Sequence, residues 1–142
     1  MRITKPIERW FDVPDDPDKG RLLIKYLSPG EVSDIFDEVI KQVVNYTKGE
    51  SGNLEPVFSQ VTDKKKDREL TLIKSVVGWE NVFDQDGKAL EFNADNLVRA
   101  SREIQGFNEL VAKFRAKLAK DIDQEKKDQE KNLPSSARKL AK

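Results

Sequence analysis

The segment that decides the fold is residues 70–101, LTLIKSVVGWENVFDQDGKALEFNADNLVRAS. Its first part has the three-four spacing of a helix with one apolar face, carried by Leu70, Ile73, Val76 and Val77. Gly78 predicts the end of this helix, because glycine takes the left-handed cap conformation at little steric cost. Residues 82–92 then place an Asp-Gly turn between short apolar runs and predict a small hairpin. Two helical patterns therefore flank a corner that carries Trp79.

The second of these helices begins after Asn93, whose side chain suits an N-cap. We expect it to cover residues 94–104, with a break at Gly106. The last helix has a long apolar stripe that consists of Phe107, Leu110, Val111, Phe114, Leu118 and Ile122. The charged residues 123–132 extend this helix through ion pairs such as Asp123 with Lys127, and residues 133–142 are predicted to be disordered.

The N-terminal half begins with two predicted strands, residues 7–13 and 21–27, which form an antiparallel hairpin. Ser28 then has the features of a helix N-cap, with Pro29 at the first helical position and Glu31 completing a capping box. The helix is predicted to end near residue 46, and its apolar stripe consists of Val32, Ile35, Phe36, Val39, Ile40 and Val43.

Between this helix and the central segment, residues 48–53 have the composition of a loop. Residues 54–61 are either a short strand or irregular, and Pro56 favours an edge position if they form a strand. Asp63 is expected to cap the next helix, although the lysines at positions 64–66 oppose the helix dipole. The predicted fold class is therefore α+β, with an N-terminal antiparallel hairpin, about four helices, a small second hairpin and a charged C-terminal helix.

Composition limits the function classes. The 142 residues suit one globular domain, predicted over residues 1–122, with residues 123–142 as a charged helix extension and a disordered tail. The 26 basic and 26 acidic residues balance, so we expect neither a nucleic acid nor a membrane as partner. The chain has no Cys and no His, hence no disulfide, thiolate or imidazole chemistry. No long apolar run occurs, and a cytoplasmic location in the host cell is expected.

The clusters of acidic and basic residues can each be interpreted either as a ligand site or as a solvated part of the surface. The carboxylates between residues 12 and 18 are either ligands for a hard cation or parts of a solvated loop. The segment 84–87 resembles the middle of a calcium loop, but the ligand positions around it do not match. Residues 64–66 either contact phosphate or form a solvated helix start. We predict no metal, no organic cofactor and no enzymatic activity.

The residues expected to bind a partner are apolar. The stripe of the last helix serves either an internal core or a groove for a partner helix, and Trp10 and Trp79 are either core anchors or interface residues. As a hypothesis, the partner-binding set consists of Trp79, Phe107, Leu110, Val111, Phe114 and Leu118.

Four segments of the chain carry a resemblance to known proteins: RWFDVPDDPDKGRLLIKYLSPGE, the run Gly78-Trp79-Glu80-Asn81, the turn at residues 84–87 followed by Phe92-Asn93, and residues 99–107. Through them most of the chain, residues 5–132, resembles tailed-phage and prophage proteins of the tail gene region, notably tail assembly chaperones. None of the four segments is a catalytic motif.

The resemblance implies a non-enzymatic assembly factor that binds the tape measure protein and helps the tail tube protein polymerise around it. Such chaperones are often also made in a longer, frameshifted form. Two alternatives remain open: a structural tail or tube-completion subunit retained in the virion, and an enzyme with an unrecognised carboxylate site. Self-association is a further open alternative.

Overall fold

A computed structural model describes residues 1–132 of the chain. Within them, the elements in chain order are β1 (Glu8–Asp12), β2 (Arg21–Lys25), α1 (Pro29–Val39), β3 (Ile40–Lys48), β4 (Leu54–Thr62), α2 (Lys64–Ser75), β5 (Val76–Glu80), α3 (Ala94–Glu103) and α4 (Phe107–Lys131). The predicted α+β class, the N-terminal hairpin and the four helices are confirmed. The predicted disorder of residues 133–142 lies outside the described residues.

The described chain forms two compact units. The first contains Met1–Tyr26 and the described residues from Ser75 onward, and the second is Leu27–Lys74. The predicted domain over residues 1–122 stays a prediction. No helix among residues 1–132 combines the length and the apolar character needed to cross a membrane.

The first unit is built on a three-stranded sheet in the order β1-β2-β5, with both pairings antiparallel. Helix α4 packs against β2 and α3, and the Phe11 ring of β1 stacks on Phe114 of α4 at a centroid distance of 4.9 Å. The core also takes buried residues from all these elements, including Leu22, Ile24, Val76, Leu97 and Leu118. The stripe of α4 is thus a major part of this core.

The predicted extent of the helix in the central segment is wrong, because its last residues form the third strand of this sheet. Helix α2 ends at Ser75, and Val76 and Val77 belong to β5 instead of the helix. Gly78 lies opposite Leu23 in the ladder with β2 and is not a left-handed helix cap. The β-branched pair fits a strand, and its long-range pairing with β2 overrides the local helical spacing.

The first helix is also shorter than predicted. The capping box at Ser28 and Glu31 is confirmed, but α1 ends at Val39 and β3 begins at Ile40. Of the predicted stripe, only Ile35 and Val39 are buried within α1. They form the core of the second unit with Leu27, and Leu70 of α2 packs against them.

The predicted cap at Asn93 and the predicted break at Gly106 are confirmed. Asn93 caps α3 by accepting a hydrogen bond from the backbone N–H of Asn96, and Gly106 precedes α4 with a φ of 78°. The predicted second hairpin is reduced to one bridge, between Phe83 and Ala89. Its turn is held by the Asp84 carboxylate, which accepts from backbone N–H groups.

Two glycine substitutions distinguish the strand at Gly78 from the predicted cap. A Cβ at Gly78 would come no closer than 3.4 Å to a neighbour, the Leu23 side chain, so we expect Gly78→Ala to leave the free energy of unfolding nearly unchanged. Gly106→Ala forces a side chain into the left-handed region and should destabilise by about 1 kcal/mol. Urea unfolding of both variants measures the difference. An equal loss of stability in Gly78→Ala would instead support a left-handed helix cap at Gly78.

Leu118 is 1% exposed, so truncation should leave a cavity in the core of the first unit. We expect Leu118→Ala to lower the free energy of unfolding by about 2–5 kcal/mol. The fluorescence of Trp10 and Trp79 reports on this unit, since the chain has only these 2 tryptophans. Lys120→Ala, at an exposed position of the same helix, is the control and should change stability by less than about 0.5 kcal/mol. A wild-type-like Leu118→Ala protein would place the stripe outside the core.

Candidate functional site

The candidate site is the β3–β4 hairpin of the second unit. The two strands pair antiparallel without a register shift, from Ile40 opposite Thr62 to Lys48 opposite Leu54. Within residues 1–132 they form a sheet of their own, and no third strand pairs with either. All of β4 and most of β3 are exposed. A two-stranded sheet of this kind leaves both faces and both outer edges open to water.

One face of the hairpin carries its largest apolar side chains, together with the polar residues Gln42, Lys48, Gln60 and Thr62. Residues directly opposite each other share a face, and faces alternate along each strand. Val44 lies opposite Phe58, Tyr46 opposite Pro56, and Lys48 opposite Leu54. We call the surface formed by Val44, Tyr46, Leu54, Pro56 and Phe58 the apolar face. Its three largest side chains have exposed fractions of 67% (Tyr46), 71% (Leu54) and 66% (Phe58).

The reverse side of the hairpin, which we call the mixed face, interleaves apolar and polar residues. It consists of Lys41, Val43, Asn45, Thr47, Glu55, Val57, Ser59 and Val61. Val57 and Val61 are exposed here but are separated by Ser59. The contrast makes the apolar face the better surface for another protein, because contiguous exposed apolar side chains mark interaction sites.

Asp63 fixes the base of the hairpin. Its backbone N–H donates to the Val39 carbonyl at 2.8 Å, and its carboxylate accepts from the Lys66 backbone N–H at 3.2 Å, which confirms the predicted cap of α2. The Lys41 ammonium lies 3.2 Å from the same carboxylate. The hydrogen bond from Lys66 and the contact with Lys41 lower the pKa of Asp63 below its ordinary value of 3.8.

The residues predicted to bind a partner lie elsewhere and are mostly buried. Phe107, Val111, Phe114 and Leu118 face the core of the first unit, and Leu110 is half-buried. Of the two uses left open for this stripe, the internal core is the one observed. A partner could reach these side chains only after the core had opened.

Trp79 also has a structural role. Its indole N–H donates to the Leu90 carbonyl at 2.9 Å, and its ring meets the edge of Phe92 at a centroid distance of 5.2 Å. These contacts tie the segment that follows β5 back onto the sheet. Its partner-binding role stays a prediction.

The acidic loop after β1 has the geometry of a hydrogen-bonded turn. The Asp16 carboxylate accepts from the backbone N–H groups of Asp18 at 3.1 Å and Gly20 at 2.9 Å. Asp12 pairs with Arg21 at 2.9 Å. Among residues 1–132, no three acidic side chains are grouped in a way that could hold a metal ion. Lys66, in the lysine triplet, pairs with Glu38 at 3.3 Å.

A second surface lies in the first unit, where β1 and α4 border an open groove of about 900 Å³. Trp10, Lys113, Lys117 and Lys120 contribute to its lining, and Arg9 at its edge pairs with Asp121 and Glu125. The groove combines aromatic and basic groups. Trp10 is 39% exposed, compared with 66% or more for each of the three largest side chains on the apolar face of the hairpin.

Comparison of the chain with protein families, with curated protein sequences and with solved structures finds no match.

Sequence reasoning missed the hairpin because residues 40–43 continue the helical spacing of α1. Two signals were present: the β-branched residues Ile40, Val43, Val44 and Thr47 in one short run, and Pro56 in the facing strand. The edge strand considered for residues 54–61 is confirmed as part of β4.

Asp63 gives a testable pH dependence. Because its folded-state pKa is lowered, the ionised carboxylate stabilises the folded state above the ordinary pKa, and this contribution is lost as the pH falls through the lowered value. Asp63→Asn keeps an oxygen acceptor for the cap but cannot ionise. We expect it to be less stable than wild type at neutral pH, with the difference disappearing in strong acid.

Denaturant unfolding followed by circular dichroism from neutral to acid pH measures this difference. Asp34→Asn, at an exposed position of α1, is the control for the change in net charge. A stability difference between wild type and Asp63→Asn that stays constant with pH would contradict the assigned interactions.

Proposed function

We propose that this protein acts by binding other proteins, and that the apolar face of the β3–β4 hairpin is its contact surface. The observation that supports this is the cluster of Tyr46, Leu54 and Phe58, three large side chains that are each about two-thirds exposed. A few clustered residues supply most of the binding energy in protein interfaces, and tyrosine is among the residue types enriched there. An exposed patch also risks aggregation, so we expect a partner to cover it.

The particular role that we propose is that of a tail assembly chaperone. The resemblance of residues 5–132 to tailed-phage proteins suggests the tape measure protein as the partner and the tail tube protein as a second one. An apolar patch on a highly charged chain suits reversible coating of an aggregation-prone partner, because the remaining surface stays well solvated. We therefore propose the hairpin, instead of the stripe of α4, as the contact surface.

The test is copurification of the full chain with coexpressed tape measure protein. Tyr46→Ser with Phe58→Ser should weaken binding by about 2 kcal/mol or more, which is roughly 30-fold in the dissociation constant. The matched control is Val57→Ser with Val61→Ser, on the mixed face of the same two-stranded sheet. We expect this control to bind like wild type.

Circular dichroism checks that both double variants fold. Equal recovery of the partner with the two variants would remove the apolar face from the interface, and no recovery with wild type would contradict the chaperone role. Detection of the protein in purified phage particles would instead favour the structural tail subunit.

A further inference from the structure

The hydrogen bonds at the two ends of the hairpin determine which backbone groups of β3 and β4 face outward. At the tip, the Gly49 N–H donates to the Asn53 carbonyl at 2.9 Å, and at the base the Asp63 N–H donates to the Val39 carbonyl at 2.8 Å. The register is constant between them, and hydrogen-bonded pairs alternate with non-hydrogen-bonded pairs in an antiparallel ladder. Odd-numbered residues therefore bond across the hairpin, and even-numbered residues direct their N–H and C=O groups outward.

The two outer edges differ in their capacity to accept another strand. Pro56 is an even-numbered residue in the middle of β4, so its ring occupies a position where a donor would otherwise face outward. Proline at such a position blocks strand addition. The outward positions of β3 are Ile40, Gln42, Val44, Tyr46 and Lys48. The Ile40 N–H donates to the Phe36 carbonyl at the end of α1, and the other four positions keep an outward backbone N–H. The hairpin is therefore closed at the β4 edge and open at the β3 edge.

We propose that the β3 edge pairs with β3 of a second copy of this chain, antiparallel and with Val44 opposite Val44. This register extends over β3, Ile40–Lys48, and it places the four outward donors, those of Gln42, Val44, Tyr46 and Lys48, opposite outward acceptors of the other copy. The product is a four-stranded sheet, and a sheet of three or more strands has the independent stability that a two-stranded hairpin lacks.

Charge favours a second copy as the occupant. In this register Lys48 of each copy lies opposite Ile40 of the other, beside the end of α1, and Lys41 lies opposite the uncharged Thr47. Helix α1 ends with Asp37, Glu38 and Val39 and has no basic residue in its last turn. In this dimer, Lys48 of the second copy adds a cation beside this acidic helix end, where Lys66 of α2 already pairs with Glu38.

Pairing through β3 leaves the apolar faces uncovered. The two Val44 side chains meet on the two-fold axis, and Tyr46 of each copy lies opposite Gln42 of the other. The dimer thus presents two apolar faces side by side on one sheet. This inference goes beyond the proposed function and does not depend on it, because self-association is measured on the purified chain without any partner protein.

Disulfide cross-linking tests the register directly, because the natural chain has 0 Cys. Two cysteines opposite each other in an antiparallel ladder have a Cα separation of about 5.5 Å, which a disulfide spans. Val44→Cys should therefore give a covalent dimer on mild oxidation. Phe58→Cys is the matched control: it lies opposite Val44 on the same face, but on the closed edge, and should form no covalent dimer under the same conditions.

Sedimentation equilibrium of the full chain tests the edge assignment without cysteine. Val44→Pro removes an outward N–H from β3 and should raise the dimer dissociation constant by about tenfold or more. Phe58→Pro makes the same change on β4 and should leave the dissociation constant unchanged. Circular dichroism checks that the hairpin is retained in both. A wild-type chain that is monomeric at every concentration, or cross-linking at position 58 but not at 44, would overturn the proposal.

Discussion

A two-stranded sheet cannot bury either of its faces or satisfy its outer backbone groups by itself, and this constraint governs the second unit. Strands β3 and β4 form such a sheet, and Asp63 anchors its base through its contacts with Lys41 and Lys66. The small cluster of Leu27, Ile35, Val39 and Leu70 supports α1 and α2. The strands therefore expose apolar side chains that a stable domain of this size would normally bury.

The first unit, in contrast, buries most of its large apolar side chains in a core. Its three-stranded sheet is covered by α4, and the stripe from Phe107 to Ile122 is buried among residues from the strands and α3. Packing of this kind gives a stable scaffold but leaves little apolar surface for a partner. The first unit thus buries most of its apolar stripe, whereas the hairpin of the second unit exposes large apolar side chains, and this difference is the basis of the proposed function.

Local signals predicted the parts of the fold that depend on neighbours in sequence. The caps at Ser28, Asp63 and Asn93 and the break at Gly106 were predicted correctly, because each depends on a few adjacent residues. The ends of α1 and α2 were predicted wrongly. At Ile40 and Val76 the helical spacing continues, but pairing with strands distant in sequence decides the structure. The candidate site depends on that pairing, so its residues could not be assembled from periodicity alone.

Solution NMR of the full chain can distinguish the hairpin from the helix that the periodicity predicts. Val44 and Phe58 form a non-hydrogen-bonded pair, in which the Cα atoms are about 4.5 Å apart, so their Hα protons should show a strong cross-strand contact. The Phe58 ring should also be accessible to a soluble paramagnetic probe in the chain without partner. Sequential helical contacts through residues 40–46, or a Phe58 ring protected from the probe, would contradict an exposed apolar face on a two-stranded sheet.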